Sequence, residues 1–487
     1  MQSNTDPEND IRLILAAEDY SEEEFLSSHC FSSYDNSIIL SLIAHGPVLL
    51  SGGRGYGKSA LLKRAEYECR RKSTILGFYL SLRSIRLLRS RKAEYEKYLC
   101  EMISQKIREQ FKDFPDVVFV NDLQESLVDL ARGENKRIVL LFDDAAHIGR
   151  ETDLTEFFDL FRTLSNNYIS CKAAIYPGVT NFGDRFDVYN DANVIDITRD
   201  EHSPDFDSFF TGIIQKRYPN LLERVDLRNF PRFLGMAVLG NVRALIKVCN
   251  ELTVTDDKIS LSVIEKVFKE FAANYYYPLL EEVEPKLGKY EPLVKPCREL
   301  VDNVLFAEAG SKSLSFVIIH RELRRRYSKL FEILEYTGFI SKREASLSMK
   351  SGGRGAKFAL NLPVLLEHIP GNRLTEELYE RWSNLGNAPY REAHELHAGH
   401  RKFATIEMPD LPEKDELSIL SKPVNWLRKF KVYPNDLTES KIGILETKYG
   451  TIGQLVEATE DDLKELLSIG NKWAKRIKDA VFNVIWM

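Results

Sequence analysis

The octapeptide GGRGYGKS at residues 52–59 constrains this chain more than any other stretch. It follows the apolar run VLL and opens a helical pattern carried by Ala60, Leu61, Leu62 and Ala65. Gly52, Gly57, Lys58 and Ser59 satisfy G-x-x-x-x-G-K-[ST], which makes Gly52, Gly53, Arg54, Gly55, Tyr56, Gly57, Lys58, Ser59 and Ala60 a candidate phosphate loop. Glycines let the backbone curl until several N–H groups face phosphate oxygens, and the following helix N-terminus adds positive potential. Lys58 is placed to reach the β- and γ-phosphates, and the Ser59 hydroxyl to ligate Mg²⁺. A strand before the loop and a helix after it set an α/β fold.

Such a loop implies a second buried strand ending in acid, and RIVLLFDDAAHIG supplies one. Ile138 to Phe142 are all apolar, as a strand covered on both faces of a parallel sheet requires. Ligands bind at the carboxyl ends of strands in such sheets. Asp143 is therefore a candidate Mg²⁺ ligand beside Ser59, and Asp144 a candidate for orienting or deprotonating an attacking water. ATP and Mg²⁺ are the expected cofactors.

GGRGYGKS and VLLFDD resemble motifs of AAA+/STAND-class ATPases, closest in style to the origin-recognition and initiator branch. CKAAIYPGVTNFGDRF is similar to the family's sensor 1 strand, with Thr180 or Asn181 in the sensor position. GNVRALIKV is similar to its sensor 2, G-N-x-R-x-L, which places Arg243 over the γ-phosphate. An arginine there, on a helical lid, stabilises charge on the transferring phosphoryl group. The resemblance also implies an arginine finger acting in trans, hence a homo-oligomer; Arg185 and Arg199 both lie beyond the sensor 1 strand, and Arg185 is favoured. The implied catalytic set is Lys58, Asp144, Asn181, Arg243 and Arg185. The chain departs from the initiator branch in carrying Asp143-Asp144 rather than Asp-Glu, and the shorter side chain stops about 1.5 Å sooner. STAND-type switches often carry two aspartates, so slow turnover is expected.

The resemblance spans roughly residues 37–370. Apolar runs near Val48–Leu50, Thr74–Leu82, Ile138–Phe142, Lys172–Tyr176 and Val194–Ile197 alternate with helical patterns and predict a five-stranded parallel sheet of the AAA+ P-loop type. The expected organisation is a lead-in (1–36), an ATPase core (37–203), a helical lid (204–290), a winged helix (291–370), a linker (371–425) and an all-α helix-hairpin-helix domain (426–487).

SGGRG occurs a second time at residues 351–355, without G-K-[ST] and without a following helix. Three helical patterns and two β-like runs, FISKREASLSM and AKFALNL, surround it and predict a winged helix with these glycines at the wing tip. Between Lys312 and Lys357 eleven Lys/Arg stand against four Glu, in a chain of net charge −6. Lys350, Arg354 and Lys357 are the candidate backbone contacts to DNA. Glu332 and Glu335 would face the groove from the recognition helix, so any contact is expected to be independent of base sequence.

The tail, ETKYGTIGQLVEATEDDLKELLSIGNKWAKRIKDAVFNVIWM, resembles a tandem helix-hairpin-helix domain such as those of excision-repair nucleases. In its second hairpin Ile469 and Gly470 make the turn, Ala474 and Ile477 pack, and Lys472, Lys475, Arg476 and Lys478 line the helix. A turn of that kind offers backbone amides to one DNA phosphate. Gly470, Lys472, Lys475 and Arg476 are the candidate contacts. Ser468 replaces the family's first glycine. Related folds dock proteins, so a protein partner is the alternative, within a STAND-like signalling switch of the sort used in phage defence.

Composition sets the outer limits. The six cysteines lack CxxC spacing, which excludes a zinc ribbon and fits reduced thiols in a cytoplasmic protein. HELHAGH at 394–400 lacks the H-E-x-x-H spacing that aims two imidazoles along one helical face, so spacing alone assigns no metal there. No apolar run reaches membrane-spanning length, and the polar, acidic start does not fit a secretory signal.

Overall fold

The computed structural model describes residues 20–82, 92–146, 151–177, 182, 185–255, 258–383, 393–412, 417–430 and 437–486. Among the described residues nine strands form two sheets: β1 Val48–Ser51, β2 Ile75–Ser81, β3 Arg137–Ala146, β4 Ile169–Ile175 and β5 Asn193–Asp196, then β6 Phe316–His320, β7 Ile340–Ser348, β8 Arg354–Leu360 and β9 Ala393–Leu396.

The first sheet is parallel throughout, in the order β2-β3-β4-β1-β5. This is the expected α/β sheet. The apolar runs are continuous because helices cover both faces, and all seven residues of β4 are buried. Alternate residues of β3 divide between two cores. Ile138, Leu140 and Phe142 join Phe157 and Phe161 on one face. Val139 and Leu141 join Ile39, Leu42 and Leu61 on the other. The register of β3 on β4 slips between Phe142 and Ala146, so Asp143 and Asp144 sit in an irregularity at the strand's carboxyl end. Strand irregularities of this kind re-aim side chains beside functional sites.

Helices follow from Phe206–Arg217 to Tyr277–Val283. Their apolar faces share one continuous core with the second sheet and its helices, from Phe206 through Leu334 to Phe403. The second sheet runs β7-β8-β6-β9, with β7–β8 and β6–β8 antiparallel and β6–β9 parallel. The second SGGRG makes the turn between β7 and β8, where Gly352 and Gly353 take φ of 91° and 80°. Those left-handed values suit glycine.

The stretch expected to be a tether is instead packed in its described parts. β9 extends the second sheet through β6. Trp382, Leu396 and Phe403 are buried, and the Tyr327 hydroxyl donates to the Phe403 carbonyl at 2.7 Å. Its apolar residues are too widely spaced to show a period, yet each fills a place in a core built by other segments. The C-terminal helices, including Glu439–Glu446, Ile452–Glu457 and Asn471–Trp486, close around a separate core from Leu417 to Ile485.

Candidate nucleotide site and nucleic-acid faces

The loop leaves β1 and enters the helix Lys58–Arg70 through Gly57, whose φ is 99°. No side chain caps that helix. Its first amides therefore remain available to an anion, which is the arrangement a phosphate needs. Gly55 also has a left-handed φ of 79°, and a Cβ there would stand 2.4 Å from Asn241 Oδ1. Glycine at 55 lets the loop close on the lid.

The Lys58 ammonium is buried and donates to the carbonyls of Gly52 and Gly53 at 2.6 and 2.9 Å. It also lies 3.6 Å from the centroid of the Tyr176 ring. Burial pulls its pKa down to about 7, against the opposing charges of Asp144 and Asp143. The lysine and both carboxylates therefore act on one another. Asp143 is 1% exposed and accepts from the Tyr79 hydroxyl at 2.6 Å and from the Asp144 amide at 2.9 Å. Asp144 has φ +53° and accepts from the Tyr176 hydroxyl at 3.0 Å. The Ser59 hydroxyl and Asp143 carboxylate are hard oxygen donors that suit Mg²⁺.

Two other parts of the chain meet the loop. Asn241 caps the helix Val242–Val254 and donates through Nδ2 to the Arg54 carbonyl at 2.7 Å. The Arg243 amide donates to the Gly55 carbonyl at 3.1 Å. This brings Arg243, the expected sensor 2, to the loop itself. From the other direction the helix Ser328–Thr337 presents its last turn. The Tyr336 ring packs edge-on against Tyr176 at 5.2 Å, and the Arg54 guanidinium lies 5.5 Å from the Tyr336 ring.

Thr180 and Asn181 lie outside the described residues. Arg185 is exposed, as a residue reaching another subunit must be. Arg199 is not such a residue. It is 8% exposed, its guanidinium bonds both Asp35 oxygens at 2.6 and 2.7 Å, and it lies 3.3 Å from the Phe209 ring centroid. That pair walls a cleft reaching from Tyr56, Gly57 and Leu61 to His29 and Phe31. Burial beside Arg217 drops the His29 pKa to about 4, so the imidazole is neutral. Sequence reasoning misses this cleft because its residues come from the lead-in, the loop and the lid, with no motif linking them. Tyr79 and Tyr176 escape it likewise, although Tyr79 stands on β2 and Tyr176 directly follows β4, the two strands that flank β3.

The nucleic-acid candidates divide. Lys350 and Arg354 are exposed at the turn of the β7–β8 hairpin, and the Arg354 guanidinium braces Ser346 across the hairpin at 2.7 Å. Lys357 corrects the expectation. It is 3% exposed, with its ammonium 4.4 Å from the Phe316 ring centroid, because its β8 position faces into the fold. The recognition-helix expectation also fails for Glu335. Its carboxylate accepts from the Lys342 amide at 2.9 Å, and its helix ends against the phosphate loop. Four arginines on the preceding helix, Arg321, Arg324, Arg325 and Arg326, are exposed. In the C-terminal unit Ile469, Ala474 and Ile477 are buried, whereas Gly470, Lys472, Lys475 and Arg476 are exposed. Lys478 is turned inward, donating to the carbonyls of Val456 and Ala458 at 2.6 Å.

Among the described residues no helix is long and apolar enough to cross a membrane. No family model matches the chain, and no curated protein matches it. Among solved structures the chain is similar to the DNA-bound Orc1 protein of Aeropyrum pernix, at 14% identity and TM-score 0.33, over 76% of this chain and 95% of that one. It is also similar to a Walker-type ATPase of Pyrococcus abyssi, at 17% identity and TM-score 0.39, over 69% and 95%. The third similarity is to Cdc6p from Pyrobaculum aerophilum, at 14% identity and TM-score 0.33, over 72% and 92%.

Proposed function

We propose that this chain is a Mg²⁺-dependent ATPase of the initiator-like AAA+ kind, coupling ATP binding and slow hydrolysis to homo-oligomeric assembly on DNA. The observation that carries this reading is Lys58, buried in a glycine-rich loop under the influence of Asp143 and Asp144. The loop amides and Lys58 hold the triphosphate, and Ser59 with Asp143 would hold the metal that neutralises charge between its oxygens. Asp144 orients the attacking water, and Arg243 meets the developing charge. Arg185 serves a neighbouring subunit, with Asn181 as sensor 1. Lys350, Arg354, Gly470, Lys472, Lys475 and Arg476 grip the DNA backbone, with the second sheet as a winged helix and the tail as helix-hairpin-helix.

One observation favours a second reading as a STAND-like switch whose C-terminal modules dock a protein. Tyr336 and its helix end rest on the phosphate loop, as a nucleotide-controlled clasp would. Equilibrium binding of Mg²⁺-ATP by the wild type and by Lys58→Ala tests the nucleotide reading, which fails if the variant binds and hydrolyses normally. DNA affinity measured against salt separates the two readings. A steep slope supports assembly on DNA, whereas negligible affinity at low salt supports protein docking.

A further inference from the structure

Three groups that no motif unites meet where the helix Phe306–Gly310, β9 and the turn Arg401–Thr405 converge. They are Glu308, His394 and His400, whose ligand-type atoms all lie within 4.8 Å of one another. Glu308 Oε2 stands 3.4 Å from His394 Nε2 and 3.9 Å from His400 Nε2. A tetrahedral ion with bonds of about 2.0–2.1 Å to imidazole nitrogen holds its ligands roughly 3.3 Å apart. His394 and Glu308 already have that spacing, and His400 needs to close by roughly 0.5 Å to reach it.

The cluster is only partly satisfied as a polar network. His394 Nε2 has no aligned hydrogen bond although Glu308 Oε2 lies 3.4 Å away, and the second ring nitrogen of His400, Nδ1, is shielded from solvent with no hydrogen-bond partner. Buried nitrogens are seldom left so. Metal ligation uses the neutral imidazole, so each histidine would bind through a deprotonated ring nitrogen. The nearby cations are Lys402, whose ammonium lies 2.7 Å from Glu308 Oε1, and Lys312, 3.0 Å from His394 Nδ1. Lys402 is half-exposed and can swing into solvent. The exposed His397 ring lies 5.7 Å from that of His400.

We propose that Glu308, His394 and His400 form a binding site for a borderline divalent cation of the Zn²⁺ type, with Lys402 as its built-in competitor. Two imidazoles and one carboxylate suit Zn²⁺ better than Mg²⁺ or Ca²⁺, and three protein ligands leave a position for water. The ion ties β9 and the turn after it to the helix Phe306–Gly310, making residues 393–405 a metal-fastened strap across the second sheet. The site is independent of the nucleotide reading.

The test uses the full chain, stripped with chelator and free of nucleotide, titrated with Co²⁺ and then Zn²⁺. The expected result is one equivalent of Co²⁺ giving the strong visible absorption of a four-coordinate ion, bleached by Zn²⁺. Glu308→Gln, His394→Ala and His400→Ala each abolish that band, and Asp143→Asn retains it, which separates this site from the phosphate loop. Lys402→Ala removes the competitor and tightens Co²⁺ binding about 10-fold. Should the histidine variants fail to fold, Glu308→Gln and Lys402→Ala decide the matter. Absence of the band in the wild type overturns the site, as does its survival in Glu308→Gln or unchanged or weaker binding in Lys402→Ala.

Discussion

The Lys58 ammonium rests 3.6 Å from the Tyr176 ring centroid, and the hydroxyl of that same tyrosine is bonded to Asp144 at 3.0 Å. One aromatic side chain thus touches the Lys58 ammonium with its face and the Asp144 carboxylate with its hydroxyl. Under the proposed function, bound phosphate would draw Lys58 away from this ring and from its own loop carbonyls. The two ends of Tyr176 therefore carry different consequences.

Tyr176→Phe keeps the ring under Lys58 and deletes the bond to Asp144. We expect ATP affinity to stay within about 2-fold and the turnover rate to fall roughly 10-fold, a part of what a positioned base contributes. Steady-state kinetics beside equilibrium nucleotide binding checks this, and an equal loss in both would refute it.

Burial has moved Lys58 from an ordinary 10.5 to about 7. Between those values the unfolded chain holds a proton that the folded chain lacks, so this group's contribution to stability rises with pH through that window. Its penalty is complete below about pH 7. Phosphate oxygens favour the ammonium, so ATP binding above pH 7 takes up a proton. Calorimetry in buffers of different ionisation heat should find uptake approaching one proton at about pH 8 and little at about pH 6. Equal uptake at both values would exclude Lys58 as its source.

Asp144 holds φ +53°, a region where aspartate and asparagine are enriched among non-glycine residues. The backbone here thus supplies a reason for the second aspartate. Asp144→Asn keeps the conformation and removes the charge; hydrolysis should fall by about 10²- to 10⁴-fold with ATP binding retained. Asp144→Glu lengthens the carboxylate but fits the left-handed backbone less well, and single-turnover measurements should show no faster reaction.

The parallel sheet is legible in the sequence because its strands are continuous apolar runs and its phosphate loop is a contiguous motif. Lys58, Ser59 and Asp143 can be named as candidates from local pattern, and Arg243 only from the resemblance to sensor 2. Arg199 cannot be judged that way, since its partner Asp35 lies 164 residues away. Lys357 misleads for a related reason. A charge count treats every lysine on a hairpin as outward, yet the pleat turns this one onto Phe316. The packing of Tyr336 on the loop belongs to tertiary structure and leaves no periodic trace. Neither does Glu308, which completes a cluster with His394 and His400, both distant in sequence.

The second sheet is joined to the segment after the first sheet through Arg343, whose Nε lies 2.6 Å from Glu201 Oε2 with the two side chains 7% and 3% exposed. Removing one member of a buried pair strands the other charge, at a cost of about 3–5 kcal/mol. Arg343→Ala should therefore unfold at clearly lower denaturant concentration than wild type. The double variant Arg343→Met, Glu201→Leu should recover much of the loss, because neither charge is then left behind. If the double variant is as unstable as the single one, the pair is not what joins the two parts.

Ser468 takes a left-handed φ of 65° at the turn before Asn471–Trp486, the place where the resembling hairpins carry glycine. A side chain in that region costs roughly 1–2 kcal/mol, and the chain bears it while keeping the turn. Gly470, Lys472, Lys475 and Arg476 are exposed in and just after this turn. Replacing all three basic residues by alanine should flatten the dependence of DNA affinity on salt by about 0.9 logarithmic units for each phosphate no longer neutralised. Lys357→Ala should leave the slope unchanged, since its ammonium is covered by Phe316. Ser468→Gly should preserve the slope and raise the melting temperature of the C-terminal unit. A slope altered by Lys357→Ala and not by the triple variant would transfer the DNA-binding role from the tail to the wing.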